Sequence, residues 1–252
     1  MQFLRLKNNR ITALLIALSS LTSSLVQAAS VTPLSPNEKV GEFSQPEYVA
    51  KWWQWTNRVP NGVKPYQDPS GSQCALNQSG DVWFLAGTDG TDEIIRNCKV
   101  PAGKHLFFPI ITMLVHAKPG ESLSCEQAKA DASDNNNHPV HAVVEIDGKQ
   151  IRNIEKFRVR SPDCFDAFPD APYIKKPSSY FPAASDGYWL MLKPLAPGLH
   201  RISVSARYHN PGSELGDLEQ IYEYRLLIGS SVPGQKKESK PASTSEGLVA
   251  KN

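Results

Sequence analysis

Residues 188–208 read YWLMLKPLAPGLHRISVSARY. The run 188–192 is apolar and aromatic, and Pro194, Pro197 and Gly198 break it. Segment 199–208 then alternates, with Ile202, Val204 and Ala206 on one side and Arg201, Ser203, Ser205 and Arg207 on the other. A period of two puts successive side chains on opposite faces of a sheet, so this stretch is a strand, a turn and a half-buried strand. The same signal recurs outward along the chain. Segment 220–228 sets Tyr222, Tyr224, Leu226 and Ile228 on one face. Segment 140–146 aligns Val140, Ala142, Val144 and Ile146, and Asp147-Gly148 marks a tight hairpin into 149–154. Segments 81–86 (DVWFLA) and 105–111 (HLFFPII) are short aromatic and β-branched runs between Gly-rich stretches.

Two segments carry a helical period instead. In 44–57, SQPEYVAKWWQWTN, Ser44 and Glu47 have the spacing of a capping box, and Pro46 is tolerated in the first turn. Val49, Trp52, Trp53 and Thr56 recur at helical spacing, which predicts a short amphipathic helix over 46–57. A second short helix is expected over 123–132, after Ser122 or Ser124. Segment 59–73, with Pro60, Gly62, Pro65, Pro69 and Gly71, reads as a loop. No strand-helix-strand rhythm is present, so a parallel α/β sheet is excluded. The expected fold is mostly β: an antiparallel β-sandwich, jelly-roll or immunoglobulin-like, with one or two short helices. Its boundaries are an extended segment at 29–43, a single domain at 44–229 and a disordered polar tail at 230–252.

The chain has 252 residues, 40% of them hydrophobic and 21% charged, which excludes wholesale disorder. Its N-terminus carries Arg5, Lys7 and Arg10 without an acid, then an apolar stretch at 11–18 and small residues up to Ala28. This pattern predicts a signal peptide at 1–28, cut after Ala28. The apolar stretch is about half of the ~20 residues a membrane span needs, so no span is expected in the mature chain. Formal charge is +2, but both ends are basic, and the body between them is mildly acidic. An acidic body offers no stripe to neutralise phosphates, so nucleic acid is not an expected partner. The expected location is periplasmic or secreted. Cys74, Cys98, Cys125 and Cys164 make an even count, which in an exported chain reads as disulfides. Of three possible pairings, Cys74–Cys98 with Cys125–Cys164 closes two local loops and is favoured. A four-thiolate metal site lacks any C-x-x-C pair, so no metal is expected.

Candidate chemistry is sparse. Trp52, Trp53 and Trp55 cannot share one helix face, since a helix turns about 100° per residue. Trp52 and Trp55, three apart, are the candidate ligand-binding face for sugar stacking; Trp53 pairs with Val49 and reads as the structural indole. The plainer alternative is that the cluster simply pins the helix on the sandwich. His141 and Glu145 fall on the strand face opposite the apolar one and are the candidate catalytic base and acid. Such a face is more often solvated. His138 and His141, three apart in extended chain, point apart and make a poor zinc pair. Acidic loops at 89–93, 131–137 and 163–170 offer oxygen ligands for calcium, but none has EF-hand spacing, and turn chemistry accounts for them. No cofactor is therefore expected. The chain contains no G-x-S-x-G, S-x-x-K, H-E-x-x-H, G-x-G-x-x-G or P-loop motif.

Several motifs belong together. Cys74-x-x-x-Gln78-x-Gly80-x-Val82-Trp83-Phe84-Leu85-Ala86-Gly87 is followed by Arg96-x-Cys98-x-Val100-Pro101-x-Gly103-Lys104 and by Phe107-Phe108-Pro109-Ile110. Further on come Val144-x-Ile146-Asp147-Gly148, Phe157-Arg158-x-x-Ser161-Pro162, Asp186-Gly187-Tyr188-Trp189-x-Met191-Leu192 and Pro197-Gly198-x-His200. Over 50–228 this set resembles a family of uncharacterised secreted bacterial proteins. That family often carries Asn after the Phe-Pro-Ile segment, where this chain has Ile111-Thr112. The resemblance implies a single exported domain and no particular activity. Gly80, Gly87, Gly103 and Gly187 are expected at strand ends, where turns need a permissive backbone. The leading functional expectation is a non-enzymatic binding protein for a glycan or an envelope component. The alternatives are an exported hydrolase using carboxylate and histidine chemistry in a sandwich cleft, and a structural or assembly protein of the envelope.

Overall fold

The helix signals translate directly. In this computed structural model, which describes residues 31–90, 92–213 and 217–229, α1 spans Gln45–Thr56 and closes the expected capping box between Ser44 and Glu47. A cap of this kind contributes about 1 kcal/mol. Helix α2 spans Cys125–Ser133 with Ser124 as its N-cap. The predicted signal peptide and polar tail lie outside the described residues.

Nine strands are described: β1 (Val82–Phe84), β2 (Ile94–Val100), β3 (His105–His116), β4 (Val140–Ile146), β5 (Lys149–Gln150), β6 (Arg158–Arg160), β7 (Ala183–Leu192), β8 (Gly198–Tyr208) and β9 (Glu219–Ile228). They form two packed sheets, ordered β1-β3-β7-β6 and β2-β9-β8-β4-β5, in an antiparallel sandwich-like arrangement. Each sheet also holds one parallel pair, β1 with β3 and β2 with β9. The chain leaves the first sheet after β1, forms β2 in the second, and returns to the first as β3. A strand that re-enters from the same end must pair in parallel.

The core between the sheets is built from the alternating faces read in the sequence. Leu106, Phe108, Ile110 and Leu190 meet Val144, Ile202, Val204, Tyr222, Tyr224 and Leu226. A second apolar layer lies on the other face of the first sheet, where Tyr48, Val49, Trp52 and Trp55 of α1 cover Phe107, Trp189 and Met191. Strand β7 is consequently buried along its whole length. Segment 31–43 packs into this layer through Leu34 and Val40, and Leu34 N–H donates to Met191 O at 2.8 Å. At one end, Asn136 bridges the two sheets. It accepts from Tyr208 Oη at 2.6 Å and donates to Asp186 O at 3.1 Å.

Two disulfides staple the fold, Cys74–Cys98 and Cys125–Cys164. The first ties the turns before β1 to β2, and the second ties the start of α2 to the connection after β6. Gly187 lies inside β7, not at a strand end. A Cβ there would stand 2.5 Å from Thr112 Cβ and 2.6 Å from Ile111 O, so the close approach of β3 excludes a side chain.

Candidate functional site

One buried guanidinium fixes the loop that follows α1. Arg96 of β2 is 1% exposed. Its Nε donates to Asp68 O at 2.6 Å and Nη2 to Tyr66 O at 3.0 Å. Its Nη1 donates to Gly87 O at 2.8 Å and Ala86 O at 3.1 Å. The donors of a planar fork thus reach four carbonyls, and two of these belong to the loop at 59–73. Asp68 completes the anchor by accepting from the backbone of Ser70 and Gln73 at 2.9 and 2.7 Å.

The end of α1 joins this loop to a third segment. Asn57, the C-cap residue, is buried, and both ends of its amide are engaged. Its Nδ2 donates to Ala167 O at 3.1 Å, and its Oδ1 accepts from Lys64 Nζ at 2.7 Å. Tyr173 Oη donates to Asn57 O at 2.8 Å. The long connection between β6 and β7 is thereby held over the helix end.

Between these segments lies a cavity of about 1130 Å³, slightly above the usual size of small-molecule pockets. Trp52, Trp53, Tyr66, Phe168, Tyr173 and Tyr180 supply aromatic walls, and Thr112, Leu114 and His116 of β3 supply another side. Asp89, Lys175 and Lys176 stand at the exposed rim. Trp53 is oriented by a hydrogen bond from its Nε1 to Ser185 Oγ at 2.8 Å. His116 packs edge-on to Phe168 at 5.1 Å, and its Nδ1 lies 2.8 Å from Ala117 O. A carbonyl only accepts, so Nδ1 carries the proton.

Lys64 is the one buried cation of the lining, 6% exposed. Burial pushes its amine down to about 8. Among the described residues no carboxylate pairs with it. Two ring faces stand nearby, Tyr66 at 5.6 Å and Phe168 at 5.8 Å. The Tyr66 phenol is pushed up to about 12, chiefly by burial.

The structure redistributes the residues singled out in the sequence. Trp52 and Trp55 are 2% and 4% exposed; Trp52 reaches the cavity lining beside Trp53, and Trp55 does not. They complete the stripe Tyr48, Val49, Trp52, Trp55 and Thr56, the repeat that one buried helix face requires. Their indole N–H groups already donate to Leu85 O at 2.9 Å and Leu76 O at 2.7 Å. Trp53, expected to be the structural indole, also lines the cavity, with a half-buried ring. His141 is exposed and Glu145 half-buried, both on β4, and neither lines the cavity. The register sets them opposite Arg207 and Ser203, with no second carboxylate facing either from the paired strand. The acidic loops serve turns and ion pairs: Asp163 meets Lys129 at 2.9 Å and Asp170 meets Arg58 at 3.1 Å. Among the described residues no three His, Cys, Asp or Glu side chains gather as a metal site. No described helix is long and apolar enough to cross a membrane.

No protein-family model matches the chain, and no curated protein matches it. Among solved structures, the solution structure of amebosin aligns with 57% of this chain and 95% of its own, at 12% identity. Its TM-score of 0.17 carries no argument about fold or function.

Proposed function

We propose that this protein is an exported, non-catalytic binding protein that holds a small molecule with an apolar body in the cavity beside α1. The observation that carries this reading is the cavity itself, about 1130 Å³ with six aromatic side chains on three separately anchored segments. Concave, mainly apolar sites with few polar groups are where proteins bind small molecules. A glycan suits it less well, because several polar side chains around it are already engaged. The Asn57 amide is bonded at both ends, and Thr112 Oγ1 donates to Asp186 O at 3.1 Å. The same engagement speaks against hydrolysis. Ser179 Oγ donates to Lys176 O, and no hydroxyl among the described residues is bonded to His116. Two disulfides support an oxidising compartment, and the N-terminal pattern adds that the mature chain begins at Ala29, which mass spectrometry of envelope protein would show. The binding reading is tested with a neutral apolar dye, Nile red. The mature protein should bind it at one per chain, and Trp53→Ala or Leu114→Trp should weaken binding at least tenfold. Binding unchanged in both folded variants would place the dye elsewhere and overturn the assignment.

A further inference from the structure

We infer that Lys64 is the head-group receptor of this cavity and that the ligand is an apolar organic monocarboxylate. The inference rests on the binding function proposed above and goes further by naming the ligand's chemistry. Lys64 stands in the cavity wall with its amine on Asn57 Oδ1 at 2.7 Å. An ammonium has three donors, and this bond uses one. A structural role toward Asn57 needs only a neutral donor. A charge in an apolar wall is costly unless an opposite charge meets it. The two ring faces lie near the 6 Å limit of cation–π attraction and offset little of that cost. No described carboxylate supplies the counter-charge, so a ligand carboxylate would.

The head group's charge follows from the count of buried cations. One ammonium balances one negative charge, whereas a phosphate monoester carries about −1.5 to −2 at neutral pH. Lys175 and Lys176 at the rim are exposed. They raise the local concentration of anions at the mouth but stand in water, where they balance little buried charge. The other titratable groups around the cavity are Tyr66, Tyr173, Tyr180, His116 and Asp89. Burial raises the Tyr66 and Tyr173 phenols above their ordinary value, and Asp89 sits with the exposed rim residues. The aromatic walls take the body, by stacking if it is flat and by simple burial if it is a chain.

The test is isothermal titration calorimetry on the mature chain with dodecanoate, naphthalene-2-carboxylate, dodecan-1-ol and dodecyl phosphate. At pH 7 at least one of the two acids should bind, dodecanoate at least tenfold more tightly than the alcohol if the chain is the preferred body. Lys64→Met and Lys64→Gln should remove the acid's advantage; the Gln variant keeps a donor for Asn57. Raising the pH to 9.5 should weaken acid binding to the wild type, because the amine loses its proton while the carboxylate stays charged. If either variant fails to fold, the alcohol and pH comparisons on the wild type still decide. Equal binding of dodecanoate and dodecanol, or tighter binding of dodecyl phosphate, would overturn the head-group assignment and leave the cavity as a binding site. Absence of binding by all four probes, with Nile red retained, would also overturn it; if Nile red too is rejected, the binding function itself falls.

Discussion

At the scale of single residues, the two buried cations Arg96 and Lys64 divide structure from chemistry. Arg96 has its fork satisfied by carbonyls and holds the loop; Lys64, on that loop, keeps a single hydrogen bond. Neither was legible in the sequence. Arg96 points inward from a strand whose buried positions are Ile94, Arg96, Cys98 and Val100. A guanidinium at an inward position breaks the apolar alternation, and β2 accordingly leaves no clear period. The burial of Lys64 depends on tertiary neighbours such as Phe168, about a hundred residues away, whose ring stands 5.8 Å from the amine. Its titration predicts a pH effect with a definite sign. The folded amine sits near 8, while the unfolded chain holds the proton to about pH 10.4. Between these values unfolding takes up a proton, so the contribution to stability rises with pH. Below about 8 both states are protonated and the contribution is flat. Tyrosines raised by burial, such as Tyr66, act in the opposite direction above pH 10. Urea unfolding at pH 7 and 9.5 should therefore show wild type gaining on Lys64→Met at the higher pH. A pH-independent difference between them would show that the amine is not buried as inferred.

At the scale of elements, the sequence marks α1 to within a residue at each end, and its cap as well, because capping chemistry is local. Which indole faces where was not local. The helix contacts the outer face of the first sheet on one side and the cavity on the other, so an i,i+4 pairing of Val49 with Trp53 did not settle it. Truncation should separate the roles. Trp52→Ala should cost about 3–5 kcal/mol, the range for a fully buried large side chain, read by urea denaturation. Trp53→Ala should cost less, about 1–2 kcal/mol, and cut dye binding. Equal costs would return both indoles to the core. Strand β7 shows the complementary difficulty. Its ten residues are all buried, so it lacks the alternation of a one-sided strand, and only its apolar end at 188–192 carries a strand signal. Gly187→Ala places a methyl against the backbone of β3, and a destabilisation of about 2–3 kcal/mol is expected. A variant as stable as wild type would mean that β3 and β7 separate easily.

At the scale of the whole molecule, alternation in three strands and the scarcity of helix signal make the sandwich legible, and an even cysteine count with short loop spans makes the pairing legible. The cavity is not, because its walls come from 52–66, from β3 and from 161–182, and no periodicity connects segments so far apart. Reduction should show how much the staples add. Each bridge stabilises by about 2–4 kcal/mol, so dithiothreitol should lower the melting temperature markedly, and serine variants of either pair should each reproduce part of the drop. A melt indifferent to reductant would count against both. The strand order has one more consequence. In the second sheet, β9 lies between β2 and β8, with Gly229 N–H donating to Val100 O. During synthesis, β2 has no neighbour in its sheet until β9, the last of the described strands, has been made. Completion of the sheet is thus deferred by topology alone, because β2 can close it only by pairing across a long sequence separation, which slows folding.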